Sequence, residues 1–223
     1  MKISDLYGPV ELPDDAIVGE CCVLGFPKEA RLRQAQTSQG AVEAGAPVVV
    51  GARCLLCSHV TVYEGARIGD DCLLEDRVRI GYDSRIGSRS RIIYGAYVCD
   101  RVEIDADARV AGFVCDASWI GERATVMGQL VHEYTSPHRD WWAPDEPSPV
   151  VEHDSVVGYG ARVIGGVRIG PRSYVAAGAT VTCDVPSRHV VTGVNVQTPA
   201  ASWPGRRLRE LLAHWRGESS PGQ

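Results

Sequence analysis

The stretch "VGARCLLCSHVTVYEGARIGDDCLLEDRVRI", residues 50–80, decides the fold. Read in sixes from Val50, each hexad opens on an aliphatic residue: Val50, Leu56, Val62, Ile68, Leu74 and Ile80. The beat continues through Ile86, Ile92, Val98, Ile104 and Val110, without a break in eleven hexads. The fifth positions run Cys54, Val60, Ala66, Cys72, Val78, Ser84, Ser90, Ala96, Val102, Ala108 and Val114, all small or β-branched. Gly favours the second position, at Gly51, Gly69, Gly81 and Gly87. A period of six is neither the helical period nor the simple two-residue alternation of a strand. It is a solenoid period.

Each hexad therefore predicts one short strand and one turn, and three hexads close a triangular coil. Residues 18 apart then stack at strand spacing, about 4.8 Å. Leading residues face inward, and fifth residues fill corners too tight for a large side chain. The beat slips by four at "DASW" (116–119), resumes at Ile120 and Val126, and returns at Val151, Val157, Val163, Ile169, Val175 and Val181. An early fragment fits Val18 and Leu24. The expectation is an all-β domain over 1–198, of about seven triangular coils, with excursions at 27–49 and 132–150. Residues 199–223 form a C-terminal helix and tail. In "WPGRRLRELLAHWR" (203–216), Leu208, Leu211, Leu212 and Trp215 share one face of a short amphipathic helix.

Composition fits this scaffold. Hydrophobic residues make up 44% of the 223 residues, yet Phe and Met number two each, so Val, Ile, Leu and Ala must build the core. No apolar run approaches the roughly 18–20 residues of a membrane span. The N-terminus lacks an apolar signal segment, and a cytoplasmic location is expected. A formal charge of −5 gives no support to a general nucleic-acid role. Eight cysteines include the pair Cys54 and Cys57 in "CLLC", with no second C-x-x-C to complete a zinc site. Cys22, Cys54 and Cys72 fall where other hexads carry Ala, Ser or Val, which predicts small, reduced core and surface residues.

The repeat resembles the hexapeptide-repeat acyltransferase superfamily, whose fold is a left-handed parallel β-helix. The segment "PVVEHDSVVGYGARVIGGVRIGPRSYVAAGATVTCDVP" (149–186) is similar to that family's acyl-CoA-binding coils. "VVVGARCLLCSHVTVYEGARIGDDC" (48–72) and the loop position after "WIGERATVMGQL" (119–130) resemble the members that acylate amino groups on nucleotide-linked sugars. The resemblance implies a homotrimer with acetyl-CoA, or another acyl-CoA, as co-substrate in the groove between two prisms. By position it implies cofactor contacts at Gly160, Ala161, Ala177, Gly178 and Ala179, where small residues permit close backbone approach. Relatives end in "GNPA" and a basic residue; here the stretch is "GVNVQTPA" (193–200). A basic contact to the cofactor's 3′-phosphate then falls to Arg188, Arg206 or Arg207.

"QLVHEYTSPHRDWW" (129–142) interrupts the beat and brings in the reactive side chains. Acyl transfer needs a proton acceptor for the nucleophile, and imidazole suits that near neutral pH. His132 is the candidate general base, with Glu133 to orient its ring. Many family members carry a catalytic His at an equivalent loop, whereas the similar sugar enzymes read "TNxxYP" and carry Asn. His132 is therefore a base or a group that only holds the acceptor. Tyr134, His138, Arg139, Trp141 and Trp142 are the substrate-facing candidates, since aromatic rings stack on sugars or bases and Arg suits phosphate. Two arginine pairs 18 apart, Arg67–Arg85 and Arg91–Arg109, should stack on prism edges. Alternatives are O-acetylation, a γ-carbonic-anhydrase-like zinc protein and a non-catalytic trimeric subunit. Those anhydrases use an H-x-x-x-x-H pair and a third His; here His132 and His138 have five residues between them, and no metal ligand is assigned.

Overall fold

The computed structural model describes residues 6–37, 44–133 and 147–203. Each hexad folds into a strand of two or three residues followed by a corner, as in Leu55–Leu56, Thr61–Tyr63 and Arg67–Ile68. These strands stack into three sheets, the faces of a left-handed parallel β-helix. Face A runs from Val10–Glu11 to Arg168–Ile169, face B from Ile17–Val18 to Val196–Pro199, and face C from Val23–Phe26 to Thr180–Val181. Among the described residues eight coils are complete. The count exceeds seven because three strands lie outside the expected leading positions: Val10–Glu11, which pairs with Val48–Val50 and supplies the first side of face A, and Phe113–Val114 and Gln129–Val131 on face C.

The inward column is as expected. Leu56, Leu74, Ile92, Val110, Val126, Val157 and Val175 succeed one another on face B, all buried. The fifth-position residues fill the corners, with Cys54, Ser84, Ser90 and Ala108 fully buried. Their polar atoms are satisfied along the helix axis. Ser90 Oγ donates to the Asp105 carbonyl at 3.0 Å and accepts the Ala108 N–H at 3.2 Å. Ser84 does the same with Cys99 and Val102. Cys54 and Cys72 donate their thiols to the Gly69 and Gly87 carbonyls. A small side chain with one donor thus closes a corner without leaving a buried polar atom unpaired.

The turns themselves use the left-handed region of backbone space. Arg53, Asp71, Arg89, Asp107, Arg123, Asp154, Arg172 and Arg188 occupy the corner between faces A and B, all with φ from 55° to 61°. Such conformations disfavour L-residues, and from Arg53 to Arg172 this column adds a compensating alternation of charge. Arg53 forks onto Asp71 at 2.6 and 2.7 Å, Arg89 onto Asp107 at 2.8 and 2.7 Å, and Arg123 onto Asp154 at 2.7 and 3.2 Å.

The slip expected at 116–119 is corrected. The beat shortens between Val110 and Val114, and again between Val126 and Leu130, so that Val114 is an inward residue of face C. Each event trims a corner by two residues and moves the register from 18 to 16, as in Tyr97↔Phe113 and Arg109↔Thr125. Gly112, at φ 102°, lies so close to the Gly128 carbonyl that a Cβ has no room.

The first excursion holds a helix, α1 (Glu29–Thr37), that the hexad pattern does not foretell. Its Ala, Leu, Arg and Gln residues are good helix formers, and Arg33 reaches back one turn to Glu29. A buried ion pair between Arg31 and Glu64 fastens it to the prism. Glu64 also accepts the Lys28 N–H at 3.1 Å, and Arg31 donates to the Leu6 carbonyl at 3.0 Å. At the other end, His189–Thr192 and Val196–Pro199 form an antiparallel hairpin on face B. Trp203 packs against Val190 and Ala200 there. The helix expected over 203–216 lies, beyond Trp203, outside the described residues.

Candidate functional site

The corner between faces B and C changes character along the prism. Upstream it carries His59 (φ 60°) and Arg77 (φ 62°); downstream it carries Gly95, Gly160 and Gly178, at φ 69°, 68° and 72°. A Cβ at any of these three glycines would meet nothing within 4 Å. Neither packing nor the backbone angle demands Gly here, since His59 and Arg77 adopt the same turn. What glycine does is leave the backbone of the late corners open to approach.

Gly160, Ala177 and Gly178 are exposed along this edge, while Ala161 and Ala179 are buried in the corner. Both backbone groups of Ala161 are engaged inside the chain, its N–H with Gly158 and its C=O with Gln129. Ala179 is likewise tied to Ala176 and Arg162. Gly160 and Ala177 have no backbone partner among the described residues, so the groups available to a ligand lie there. Arg188 is exposed, but on the corner between faces A and B, a full strand of face B away from Gly178.

His132 marks the opposite edge of face C. It follows Gln129–Val131, which pairs with Arg162–Ile164 one coil on. The Gly165 N–H closes the coil onto the Val131 carbonyl at 2.9 Å. His132 is half-buried and Glu133 exposed. The Glu133 carboxylate lies over Gly165, where a Cβ would come within 2.8 Å of Oε2. One strand separates this edge from Ala161, about 10 Å at strand rise. Gly160 and His132 therefore flank one face of adjacent coils rather than meeting. Tyr134, His138, Arg139, Trp141 and Trp142 lie outside the described residues.

Two carboxylates absent from the sequence-based set share the His132 corner. Val98, Val114 and Leu130 stack in register; carried two residues on, that register sets Asp100, Asp116 and His132 at one level of three successive coils. Asp116 accepts the Asp100 N–H at 2.8 Å, and Asp100 accepts the Tyr82 N–H at 3.1 Å. Burial pushes the Asp100 carboxyl above its ordinary range, against the pull of Arg79. The signal was a register of 16, visible only with the shortened corner at 111–112 correctly placed.

Other candidates resolve as structure. All eight cysteines are free thiols; Cys54 is buried, and burial pushes the Cys99 thiol up to about 12. Among the described residues, no three of His, Cys, Asp and Glu converge as a metal set. Arg67 and Arg85 do stack, with Glu103 next in register, and Arg91 stacks on Arg109 with Glu75 at 3.8 Å. No described helix is long and apolar enough to cross a membrane.

Comparison with known proteins agrees with the coil geometry. The family model "Hexapeptide repeat of succinyl-transferase" matches residues 47–75, 77–107 and 150–183. The chain is 24% identical over 195 residues to the bifunctional protein GlmU of Ralstonia pickettii, covering 74% of this chain. It is 26% identical over 186 residues to the GlmU of an Exiguobacterium species, covering 68% of this chain. It spans only 41% and 40% of those two relatives. Among solved structures, the UDP-N-acetylglucosamine acyltransferase of Francisella novicida superposes with a TM-score of 0.51 at 19% identity. That match covers 96% of this chain and 72% of the other, and it speaks for the fold.

Proposed function

We propose that this chain, a hexapeptide-repeat protein, is an acyl-CoA-dependent acyltransferase that moves an acetyl group to an amine of a sugar, with nucleotide-linked sugars as the acceptor class. The observation that carries the reading is the glycine edge of the late coils, with open backbone groups at Gly160 and Ala177, on the same face as His132. A pantetheine arm carries amide groups that such backbone donors and acceptors suit. Relatives named for acyl transfer and the repeat itself support the same reading.

In this reaction the amine nitrogen forms a bond to the thioester carbon, and the carbon–sulfur bond breaks as CoA thiolate leaves. His132 takes the proton the amine sheds and passes it to the thiolate, so charge balances across the step. Glu133 holds the imidazole in orientation. Gly160, Ala177 and Gly178 receive the cofactor, with Ala161 and Ala179 shaping the corner behind them. Arg188 is a 3′-phosphate contact from a different corner. Tyr134, His138, Arg139, Trp141 and Trp142 face the acceptor.

A homotrimer suits this arrangement, because a second prism supplies the opposite wall of a groove that one chain leaves open. Ile17 and Leu55, stacked and exposed on face B at 64% and 43%, support such packing. A cytoplasmic site of action suits free thiols and an acyl-CoA supply. Calorimetry with acetyl-CoA, followed by mass spectrometry of amino-sugar products, tests the reading. Binding with an acetamide product supports it; no acetyl-CoA binding overturns it, and an ester product would favour O-acetylation.

A further inference from the structure

The two shortened corners leave a cut on the outside of the prism. An ordinary corner between faces B and C spends four residues, as at 93–96 between Arg91–Ile92 and Tyr97–Val98. The corners at 111–112 and 127–128 spend two. They fall in successive coils, since Val114 pairs with Leu130. The edge is therefore cut back over two coils, about 9.6 Å along the axis. Full corners stand on either side, at 93–96 upstream and 158–161 downstream. Tyr94 and Tyr159 project from these two rims, 58% and 80% exposed.

Nothing refills the cut. A Cβ on Gly112 would lie 2.4 Å from the Gly128 carbonyl oxygen, and one on Gly128 would lie 2.4 Å from that of Ala161. The hydrogen-bond ladder of this edge is broken at the same place. Along the full corners Arg77 donates its N–H to Ser58, Gly95 to Asp76 and Gly178 to Tyr159, each at 3.0 Å. The short corners take away the next partners, so the Tyr94 C=O and the Gly160 N–H have none among the described residues. A ligand lying in the cut can satisfy such groups.

The wall on the face B side is apolar. Ile93, Ala111 and Met127 succeed one another there, each half-buried, with the Ile93 N–H on the Val110 carbonyl and the Ala111 N–H on that of Val126. Gly158 and Ala176 continue this column downstream, beside the glycine edge. Glu75 ends it upstream, where it accepts the Tyr94 N–H at 3.0 Å and faces Arg91 at 3.8 Å. The whole chain has two Met and two Phe, and one of each lies here. Met127 is on the wall, and Phe113 is next to it on face C, stacked on Tyr97 at 5.7 Å. A thioether adapts to apolar partners of varied shape.

We propose that this notch seats the acyl group of the donor, and that it extends the donors from acetyl-CoA to acyl-CoAs of about six or seven carbons. This rests on the acyltransferase reading. With the 3′-phosphate toward Arg188 downstream, a thioester arm lying on Gly178 and Gly160 points its acyl end upstream, at the corner 127–128. That coil carries His132 beyond its face C strand, Gln129–Val131. An acetyl group ends at Met127, whereas a longer chain continues past Ala111 to Ile93. An extended chain advances about 1.3 Å per carbon, from bonds of about 1.5 Å. The cut thus holds about seven carbons before the chain meets the Glu75 carboxylate, which it could cover only at a desolvation cost.

The test is calorimetry on the full chain with CoA, acetyl-CoA, hexanoyl-CoA and decanoyl-CoA. The expected result is that hexanoyl-CoA binds about tenfold or more tightly than acetyl-CoA, and that decanoyl-CoA gains nothing further. Ala111→Phe puts a ring on the wall and should bring hexanoyl-CoA down to the acetyl-CoA value of the same variant. Met127→Gln, close in volume but polar, should cut the preference for hexanoyl-CoA by about threefold or more. Binding of CoA and acetyl-CoA with no gain for hexanoyl-CoA overturns the proposal and leaves the acyltransferase reading standing. A preference that survives both substitutions, or one that keeps climbing to decanoyl-CoA, overturns the proposal as well. Failure of all four to bind the wild type overturns the acyltransferase reading and the notch with it.

Discussion

Replacing Gly178 by Arg separates a folding role from a groove role. Gly178 sits at φ 72° on the corner between faces B and C, and a Cβ there meets nothing within 4 Å. A non-glycine residue in this region costs about 1–2 kcal/mol, and restricting the unfolded chain returns about 0.4–1 kcal/mol of that. The net loss is about 1 kcal/mol, or about 2–4 °C in Tm for a domain of this size. The fold has already accepted the change upstream, where Arg77 occupies the same corner at φ 62°. Thermal denaturation should therefore show a small decrement. Acetyl-CoA affinity should fall by about tenfold or more, because a long side chain now fills the edge where backbone must be approached. Gly95→Arg is the internal control: it has the same geometry, φ 69° with nothing within 4 Å, but sits outside the late coils. It should lose the same few degrees and keep its acetyl-CoA affinity. A folded Gly178→Arg protein that binds acetyl-CoA as the wild type does would refute the assignment of this edge to the cofactor.

Further predictions concern the scaffold. Arg31→Ala leaves the Glu64 carboxylate buried beside α1 without its cation, and such a loss costs about 3–5 kcal/mol; a Tm within about 2 °C of wild type would show that the pair does not hold the helix. The charged corner predicts acid sensitivity. Arg123 holds the Asp154 carboxyl down at about 2, and Arg53 and Arg89 lower Asp71 and Asp107 in the same way. A carboxyl depressed by folding contributes stability that is present above its unfolded value, about 3.9, and lost as pH falls through the folded one. Urea midpoints should therefore drop between about pH 4 and pH 2, and less steeply in Arg123→Ala; identical profiles would count against the ladder.

How much was legible follows from where each constraint resides. The inward and fifth positions meet the same surroundings in every coil, so one side-chain class recurs and the period of six stands out. Val114 shows the limit of that signal: as a β-branched residue it suits a corner and an inward site equally, which is why the slip read as 116–119 belongs at 111–112. Misplacing it by one corner hides the stacking of Asp100, Asp116 and His132. The helix α1 depends on Glu64, a partner 33 residues from Arg31, and no local pattern announces it. The Arg–Asp alternation at the fourth position was present at spacings of 18, yet its meaning needs the left-handed turn that points these side chains at one another. Face C as the shared wall of the glycine edge and His132 likewise emerges only from strand pairing.

Steady-state thiol release from acetyl-CoA, with an amine-bearing sugar phosphate as acceptor, tests the central claim most directly when wild type and His132→Asn are measured side by side. Acceptor-dependent release by the wild type is expected, with kcat lowered about 10²–10⁴-fold in His132→Asn and acetyl-CoA binding intact. Release at the wild-type rate in His132→Asn would contradict the role given to His132, and no acceptor-dependent release by the wild type would contradict acyl transfer by this chain.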